Sequence, residues 1–208
     1  MSDKKTITIN ISTETPVAEC DGKTYFSLAE AILAAKPGST VNLLEDIHLD
    51  ERLDIVQNVD IDMGFKVLNL DSEITFSGGC NCSFLNGFVV CNTGMPENIL
   101  IERDSELALG DGSIVVIRTD NSILMTDGGL VFEGGVVVAE GCASPIAGDW
   151  SSGIALTRGA IVSTTGEPMN LEVGTRGCTG AAVLIGRPDK PVLLGCYAEE
   201  DGSYELVY

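Results

Sequence analysis

The side chains best suited to chemistry are carboxylates that recur through the middle of the chain. Carboxylates that converge can act as general acid and general base, and their oxygens can bind calcium. Most of these acids adjoin glycine or asparagine, however, where aspartate commonly serves only to form a turn. We therefore expect no catalytic residues. If the protein were an enzyme, its site would draw on Asp104, Asp111, Asp127, Glu133 and Arg118, with Asp120 and Arg103 nearby in sequence.

The histidine and the cysteines give little further indication of a catalytic or metal site. His48 is the only histidine, so it alone could serve a Ser-His-Asp or Cys-His arrangement, and its place after a strand-like segment favours a surface corner. Cys80 and Cys82 form a Cys-x-Cys pair followed by Cys91, which differs from the Cys-x-x-Cys pairs of structural zinc sites. Cys80 and Cys82 would face the same side of a strand, as two packed thiols or with one beside Cys91. We expect no metal site and no cofactor, with calcium at the aspartate-rich corners left open.

Composition excludes several classes of partner. The 208 residues include 31 Asp and Glu against 12 Lys and Arg, for a net charge of −19. This charge repels nucleic-acid phosphates and anionic membranes, so neither is an expected partner. The first residues, MSDKKTITINIS, lack the apolar stretch of a secretion signal, so we expect synthesis in the cytoplasm without export by that route. In that reducing compartment the seven cysteines are expected to be buried thiols.

One helix is predicted at residues 28–36. Ser27 and Glu30 have the spacing of a capping box, and apolar residues at 28, 31, 32 and 35 form one stripe. Pro37 and Gly38 then end the helix. Nine residues are too few for a stable isolated helix, so the stripe is expected to cover other apolar residues.

From Thr40 onward the pattern is that of short strands separated by Gly-, Asn- or Asp-rich corners. Strands of three to six residues are predicted at 40–44, 53–56, 59–63, 66–70, 73–76, 83–85, 88–91, 98–102, 106–109, 113–118, 122–126, 130–132 and 135–138. An antiparallel sandwich would use Asn86-Gly87 and residues 110–112 as hairpin turns. A parallel β-helix would instead stack coils of roughly 20–25 residues, and its open end would need a cap such as the predicted helix. The regular corners and the helix favour the β-helix.

The segment YFSLAEAILAAKPGSTVNLLEDIHL, followed by ERLDIVQNVDIDMGFKVL, resembles the first coil of right-handed parallel β-helices of the pectate-lyase-like superfamily. The resemblance covers about residues 22–140 and is strongest at 25–70. It implies an all-β fold: a right-handed parallel β-helix capped by a short helix, with a β-rich C-terminal cap or a small sandwich-like appendage. Members of this superfamily include polysaccharide lyases, surface adhesins and bacteriophage tail or virion proteins, so fold does not decide function.

The resemblance also indicates how an enzyme would be arranged. Lyases of this superfamily bind calcium through acidic clusters and use a basic residue, and its hydrolases use paired carboxylates. Such residues must project from neighbouring coils. Asp104 and Asp127 are 23 residues apart and Asp111 and Glu133 are 22 apart, which suits stacking on successive coils.

Three regions are predicted: an N-terminal arm or strand at 1–21, the capped β-helix at 22–145, and β-rich terminal coils or an appendage at 146–208. The arm contains a strand-forming segment that would bind a partner by edge pairing or lie along its own domain. Its partner-binding candidates are Lys4, Lys5, Thr6, Ile7, Thr8 and Ile9.

We expect a non-enzymatic structural or binding protein, most concretely a bacteriophage virion component such as a capsid decoration, head-fibre or tail-associated protein. The arm would attach to other virion or surface proteins and the C-terminal part would be displayed. A homotrimer is expected, because side-by-side solenoids bury flat faces, and a glycan is a possible ligand. The alternative is a polysaccharide lyase or glycoside hydrolase, acting as a depolymerase on a surface polysaccharide.

Overall fold

The structure is a computed structural model that describes residues 15–92, 97–118, 121–142, 144–149, 151–164, 171–172, 178–187, 190–198 and 204–207. The arm candidates at 4–9 and Asp120 lie outside the described residues. Within them the chain forms one short helix and many short strands. In chain order these are β1 (Ala18–Cys20), β2 (Lys23–Tyr25), α1 (Leu28–Ala34), β3 (Ser39–Leu43), β4 (Ile47–Leu49), β5 (Leu53–Ile55), β6 (Val59–Asp62), β7 (Val67–Leu70), β8 (Ile74–Phe76), β9 (Asn81–Leu85), β10 (Gly87–Cys91), β11 (Glu97–Glu102), β12 (Glu106–Leu109), β13 (Ser113–Arg118), β14 (Ser122–Thr126), β15 (Gly129–Glu140), β16 (Ile146–Gly148), β17 (Gly153–Ser163), β18 (Leu171–Glu172), β19 (Cys178–Arg187), β20 (Lys190–Ala198) and β21 (Tyr204–Val207).

The strands wind into a right-handed parallel β-solenoid of about five turns. Each coil contributes one strand to each of three sheets. Sheet A contains β3, β6, β9, β12 and the first halves of β15, β17 and β19; sheet B contains β4, β7, β10, β13 and the second halves of those three strands; sheet C contains β5, β8, β11, β14, β16 and β18. The predicted fold class is therefore confirmed, and the sandwich alternative is wrong.

Inward-facing side chains of successive coils stack into apolar columns. In sheet C the register aligns Leu53, Ile74, Ile99, Ile123 and Ile146, all of which are buried. Alternation along each strand sends every second side chain outward, since successive residues of a strand point to opposite faces. A coil can bury one or two residues per strand in this way, which explains why strands of three to six residues suffice.

The N-terminal end is capped as predicted, with a shorter helix. The Ser27 hydroxyl accepts from the Glu30 amide at 3.1 Å, and Leu28, Ala31 and Ile32 are buried against β1, β2 and β3. The helix ends at Ala34 and not at Lys36, because Ala35 is already extended and a residue before proline, here Lys36, disfavours helical geometry. Gly38 then adopts a φ of +82° in the turn that enters β3.

One side chain ties the helix to the first coil. The Gln57 amide, in the loop between β5 and β6, donates to the carbonyls of Ile32 and Ala35 at 2.7 and 3.1 Å. Carbonyls at a helix C-terminus have no partner within the helix, and an unmet buried acceptor is costly. Gln57 therefore fixes the cap by satisfying two of them.

The sequence pattern did not predict two features at the ends of the solenoid. The β1–β2 hairpin pairs antiparallel with the first strand of sheet A and covers its edge, where the sequence predicted an N-terminal arm or strand that ends at residue 21. At the other end β19, β20 and β21 pair antiparallel. Both ends of sheet A thus change from parallel to antiparallel pairing.

The suspected hairpin turns are corners. Asn86-Gly87 and residues 110–112 carry the chain from sheet A to sheet B, and the strands on either side of each corner do not pair with one another. The separate strands predicted at 130–132 and 135–138 are one strand, β15, which pairs first in sheet A and then in sheet B. In the part of the chain that is described, no helix could cross a membrane.

The cap is open to a direct test with neighbouring residues of α1. Ile32 is 4% exposed and Leu33 is 87% exposed. Ile32→Ala should lower the free energy of unfolding by about 2–5 kcal/mol, because it leaves a cavity over the first coil. Leu33→Ala should change it by less than about 0.5 kcal/mol.

Urea denaturation followed by circular dichroism measures both values. Equal effects of the two substitutions would mean that the helix does not seal the solenoid.

Candidate functional site

The predicted catalytic residues are distributed over three corners of the solenoid. Asp104 and Asp127 lie between sheet C and sheet A, which we term the CA corner. Asp111 and Glu133 lie between sheets A and B, the AB corner. Arg118 ends β13 at the BC corner. The residues therefore form two stacked carboxylate pairs and a separate arginine, and not one assembly.

At the CA corner, Asp104 and Asp127 occupy equivalent positions of successive coils, as their spacing predicted. The Asp104 amide donates to the Asp127 carbonyl at 2.6 Å. Both residues have positive φ, 62° and 56°, a backbone region that aspartate tolerates better than most residues. Turn formation thus accounts for the choice of aspartate at both positions.

Asp149, which sequence reasoning missed, completes this corner on the next coil. Its carboxylate accepts from the Asp127 amide at 3.1 Å and from the hydroxyls of Ser151 and Ser152 at 2.8 and 2.7 Å. Hydrogen bonds from Ser152, Ser151 and the Asp127 amide lower the pKa of Asp149 to about 2. The signal available in the sequence was the DWSS segment, in which an aspartate precedes two serines and can accept from their hydroxyls and amides.

At the AB corner, Asp111 and Glu133 both accept hydrogen bonds from an arginine that lies two coils after Asp111. The Arg158 guanidinium donates to the Asp111 carboxylate at 2.5 Å and to the Glu133 carbonyl at 3.2 Å. The side chains of Arg158 and Asp111 are 67% and 74% exposed, and exposed ion pairs contribute about 0–1 kcal/mol. This cluster braces three coils at the surface.

The BC corner carries a continuous polar ladder of five side chains, one from each coil. His48 contacts Asp71 at 3.2 Å, and Asn92 donates to the other oxygen of Asp71 at 2.6 Å. Arg118 donates to Asn92 at 3.3 Å and to Glu140 at 3.0 Å. Hydrogen bonds from His48 and Asn92 lower the pKa of Asp71. The only histidine and the candidate basic residue Arg118 are thus both members of a ladder that joins coils.

Two buried asparagines stand behind this ladder at the start of sheet C. Asn98 donates to the carbonyls of Leu70 and Ser72 at 3.4 and 3.3 Å, and Asn121 donates to those of Cys91 and Asn92 at 3.4 and 2.6 Å. They satisfy backbone acceptors where the coil turns and strand pairing stops. Sequence reasoning missed them, although each precedes a similar apolar strand, in ENILIE and in DNSILM.

A shallow groove of about 220 Å³ opens on the outer surface of sheet A beside the CA corner. Asp104, Glu106 and Asn81 supply its polar groups, and its floor includes Gly129 and Gly153. The glycines keep the floor low, while the carboxylates could receive hydroxyl groups. The volume is below the roughly 300–1,000 Å³ of typical small-molecule sites.

The Cys-x-Cys pair lies inside the solenoid. Cys80 and Cys82 are 1% and 3% exposed, and their thiols donate to the carbonyls of Ile55 and Gln57 at 3.5 and 3.4 Å. The Cys82 thiol and Ser105 lower the pKa of Cys80, while that contact and burial raise the pKa of Cys82. Cys91 lies in sheet B between Leu70 and Ile117. Of the two alternatives, the structure contains packed thiols, and Cys20, Cys80, Cys82, Cys91 and Cys142 are buried and form no disulfide.

Within the described ranges, no three His, Cys, Asp or Glu side chains are grouped to hold a metal ion. Comparison of the chain with protein-family models, with curated proteins and with solved structures gave no match. The strand pairing shows the fold of a parallel β-helix. The likeness to the pectate-lyase-like superfamily, and to its phage proteins, stays a resemblance of sequence.

The Asp149 network makes stability depend on pH. Because the folded pKa is below the roughly 3.9 of an unfolded aspartate, its contribution is complete above pH 4 and is lost as pH falls towards 2. Asp149→Ala should therefore lower the free energy of unfolding by about 1–2 kcal/mol at pH 7, allowing for partial exposure. The difference from wild type should shrink as pH falls from 4 to 2.

Thermal unfolding at several pH values measures this difference. Asp50→Ala is the matched control, since Asp50 is exposed and its replacement should change the free energy of unfolding only slightly. A deficit for Asp149→Ala that persists undiminished at pH 2 would contradict the assigned hydrogen bonds.

Proposed function

We propose that the protein is a non-enzymatic structural protein that attaches to a larger particle, most concretely a bacteriophage virion, by its N-terminal end. The supporting observation is the uneven distribution of exposed apolar side chains. Six large hydrophobic residues are exposed in the part of the chain up to residue 164, where side-chain exposure is described. Four belong to the cap and the first coil: Phe26, Leu33, Leu44 and Val56, which are 48%, 87%, 37% and 65% exposed.

Several exposed apolar side chains at one end suit attachment. Exposed apolar groups gathered in one part of a soluble protein are commonly a binding site, whereas single ones scattered over the surface need no explanation. Here the residues lie at the end of the solenoid where the described chain begins, and the predicted arm at 4–9 precedes them in the sequence. Cap and arm would then form one attachment region, and the solenoid would project from it.

The remaining structure favours a passive role. Carboxylates and arginines at the corners join neighbouring coils: Asp149 fixes the CA corner, Arg158 bridges Asp111 and Glu133, and Arg118 belongs to the BC ladder. Side chains held in such contacts stiffen the stack. A stiff, acidic rod with a distinct apolar end suits a capsid decoration, a head fibre or a tail-associated protein.

Attachment is testable in cells that produce both the protein and the particle. A tagged chain should sediment with particles in a density gradient, where mass spectrometry detects it beside capsid proteins. Leu33→Glu should reduce incorporation at least tenfold, because a buried unpaired charge costs more than about 1.4 kcal/mol at an interface. Phe65→Glu is the matched control, since Phe65 is 82% exposed but lies at the AB corner of the second coil.

Removal of residues 1–12 tests the arm in the same assay and should also abolish incorporation. If the chain stays in the soluble fractions, or if Leu33→Glu and Phe65→Glu behave alike, attachment through the cap is wrong.

The second candidate, a polysaccharide lyase or glycoside hydrolase, is favoured by one observation, the groove that contains Asp104 and Glu106. We expect neither unsaturated sugars nor new reducing ends when the protein is incubated with acidic and neutral bacterial polysaccharides. Product that disappears in both Asp104→Asn and Glu106→Gln, but persists in Asp111→Asn at the AB corner, would establish the enzyme and overturn the proposal.

A further inference from the structure

The outer surface of sheet B is apolar over most of its length. Its central outward-facing residues, which we term face B, are Phe88, Ile114, Val116, Val136, Val138 and Val162. Phe88 is 40% exposed and the other five are half-buried. They form two columns, because Val116, Val138 and Val162 are register partners, as are Phe88, Ile114 and Val136. Face B contains no charged residue, although the protein carries a net charge of −19.

We propose that face B is covered by a second copy of this chain, in a dimer whose twofold axis runs parallel to the solenoid axis. The inference is independent of the proposed function. It rests on charge, on spacing and on area.

The distribution of charge indicates which outer surface two acidic copies can share. The outer surface of sheet A presents Asp60, Asp62 and Glu106, so two acidic copies meeting there would oppose their carboxylates. Face B itself adds no carboxylate to such a contact, so two acidic copies would repel one another less there than at sheet A. A basic partner would gain nothing from an uncharged face and would be drawn to sheet A instead.

The charged residues along the two edges of face B indicate the direction of the twofold axis. Lys66 and Asp71 lie immediately before and after β7, hence at the same height on opposite edges. Asp111 lies two residues before β13 and Arg118 ends it, so this strand also has opposite charges at its two edges. A twofold axis along the solenoid brings each edge against the partner's other edge at equal height, so Lys66 meets Asp71 and Asp111 meets Arg118. Glu133 and Glu140 would also be opposed, but Arg158 donates to the Glu133 backbone carbonyl and Arg118 donates to the Glu140 carboxylate, so each acid has a positive charge nearby.

Spacing favours a copy over an unrelated protein. Parallel strands recur every 4.7–4.9 Å or so, and each column of face B repeats at that interval. A surface with the same repeat can interdigitate along the full length of the column. Two copies in the parallel orientation satisfy this condition at every coil.

Area sets the expected strength. Face B spans four strands, which cover about 19 Å, and four or five residues cover about 15 Å, which gives a flat area of roughly 290 Å². A standard interface buries about 800 Å² per partner, so the corners must contribute as well and the dimer should be weak. We expect dissociation in the micromolar range.

Two valines of β15 form a matched pair for the test. Val138 lies in face B, and Val131 lies on the outer surface of sheet A, with similar partial burial on the same coil. Sedimentation velocity, from low micromolar to several hundred micromolar protein, should show a monomer–dimer equilibrium. Val138→Lys should weaken it more than tenfold, because the dimer would bury an unpaired charge, whereas Val131→Lys should change it less than about twofold.

Phe88→Lys is the second face B variant, since Phe88 is the most exposed member and tolerates lysine best. Circular dichroism verifies the fold of each variant. A carbodiimide cross-link between Lys66 of one copy and Asp71 of the other, detected in mixed isotope-labelled protein, tests the axis. The intrachain pair Lys36 and Asp21, 3.7 Å apart, is the positive control for the reaction.

A monomer over the whole concentration range would overturn the proposal. So would a dimer that Val138→Lys and Phe88→Lys leave intact, and a trimer would overturn the twofold arrangement. A dimer without the Lys66–Asp71 cross-link, in a sample where the control pair reacts, would overturn the parallel axis.

Discussion

Parallel register between coils is the constraint on which the rest of the structure depends. Backbone hydrogen bonds between successive coils fix which residues stack, and that register aligns both the buried columns and the polar corners. Val59, Cys82, Leu107 and Leu130 follow one another inside sheet A without a charged residue among them. Since strand side chains alternate with a period of two, slipping one strand by a single residue would turn its buried side chains outward. Core and corners are thus specified together.

The corners explain why an acidic chain can form this stack. Coils place corner residues of successive turns close together, so like charges would repel unless each acid found a donor. The chain meets this constraint with different donors at each corner: serine hydroxyls around Asp149, an arginine beside Asp111, and alternating polar groups in the BC ladder. Asp111 and Arg118, which suggested catalysis, therefore have partners within the stack.

Local sequence patterns were sufficient to predict the fold, but they predicted only some of the contacts at the corners. The cap signal at Ser27 and the alternation in β6 and β13 are local patterns, so strand positions were predictable within a few residues. The three-residue strand β4 was missed because a strand so short has almost no period to detect. Asp104 and Asp127 were paired correctly from their separation of one coil. Arg158 was not assigned to Asp111, because it lies 47 residues away, a separation of two coils whose lengths are not constant.

The ends of the solenoid show which parts of such a protein are free to acquire function. An inner coil has a neighbouring coil on each side. The edges of its strands are therefore paired, and its corner residues contact those of the neighbouring coils. The first coil lacks a neighbour, and the chain covers it with a hairpin, a helix and Gln57, which leaves apolar side chains such as Leu33 outside. Outward faces differ as well: carboxylates lie on sheet A and aliphatic side chains on sheet B. Because stacking leaves outward positions unconstrained, residues there can be selected for partners, and the ends and face B are where attachment and self-association can arise without loss of the core.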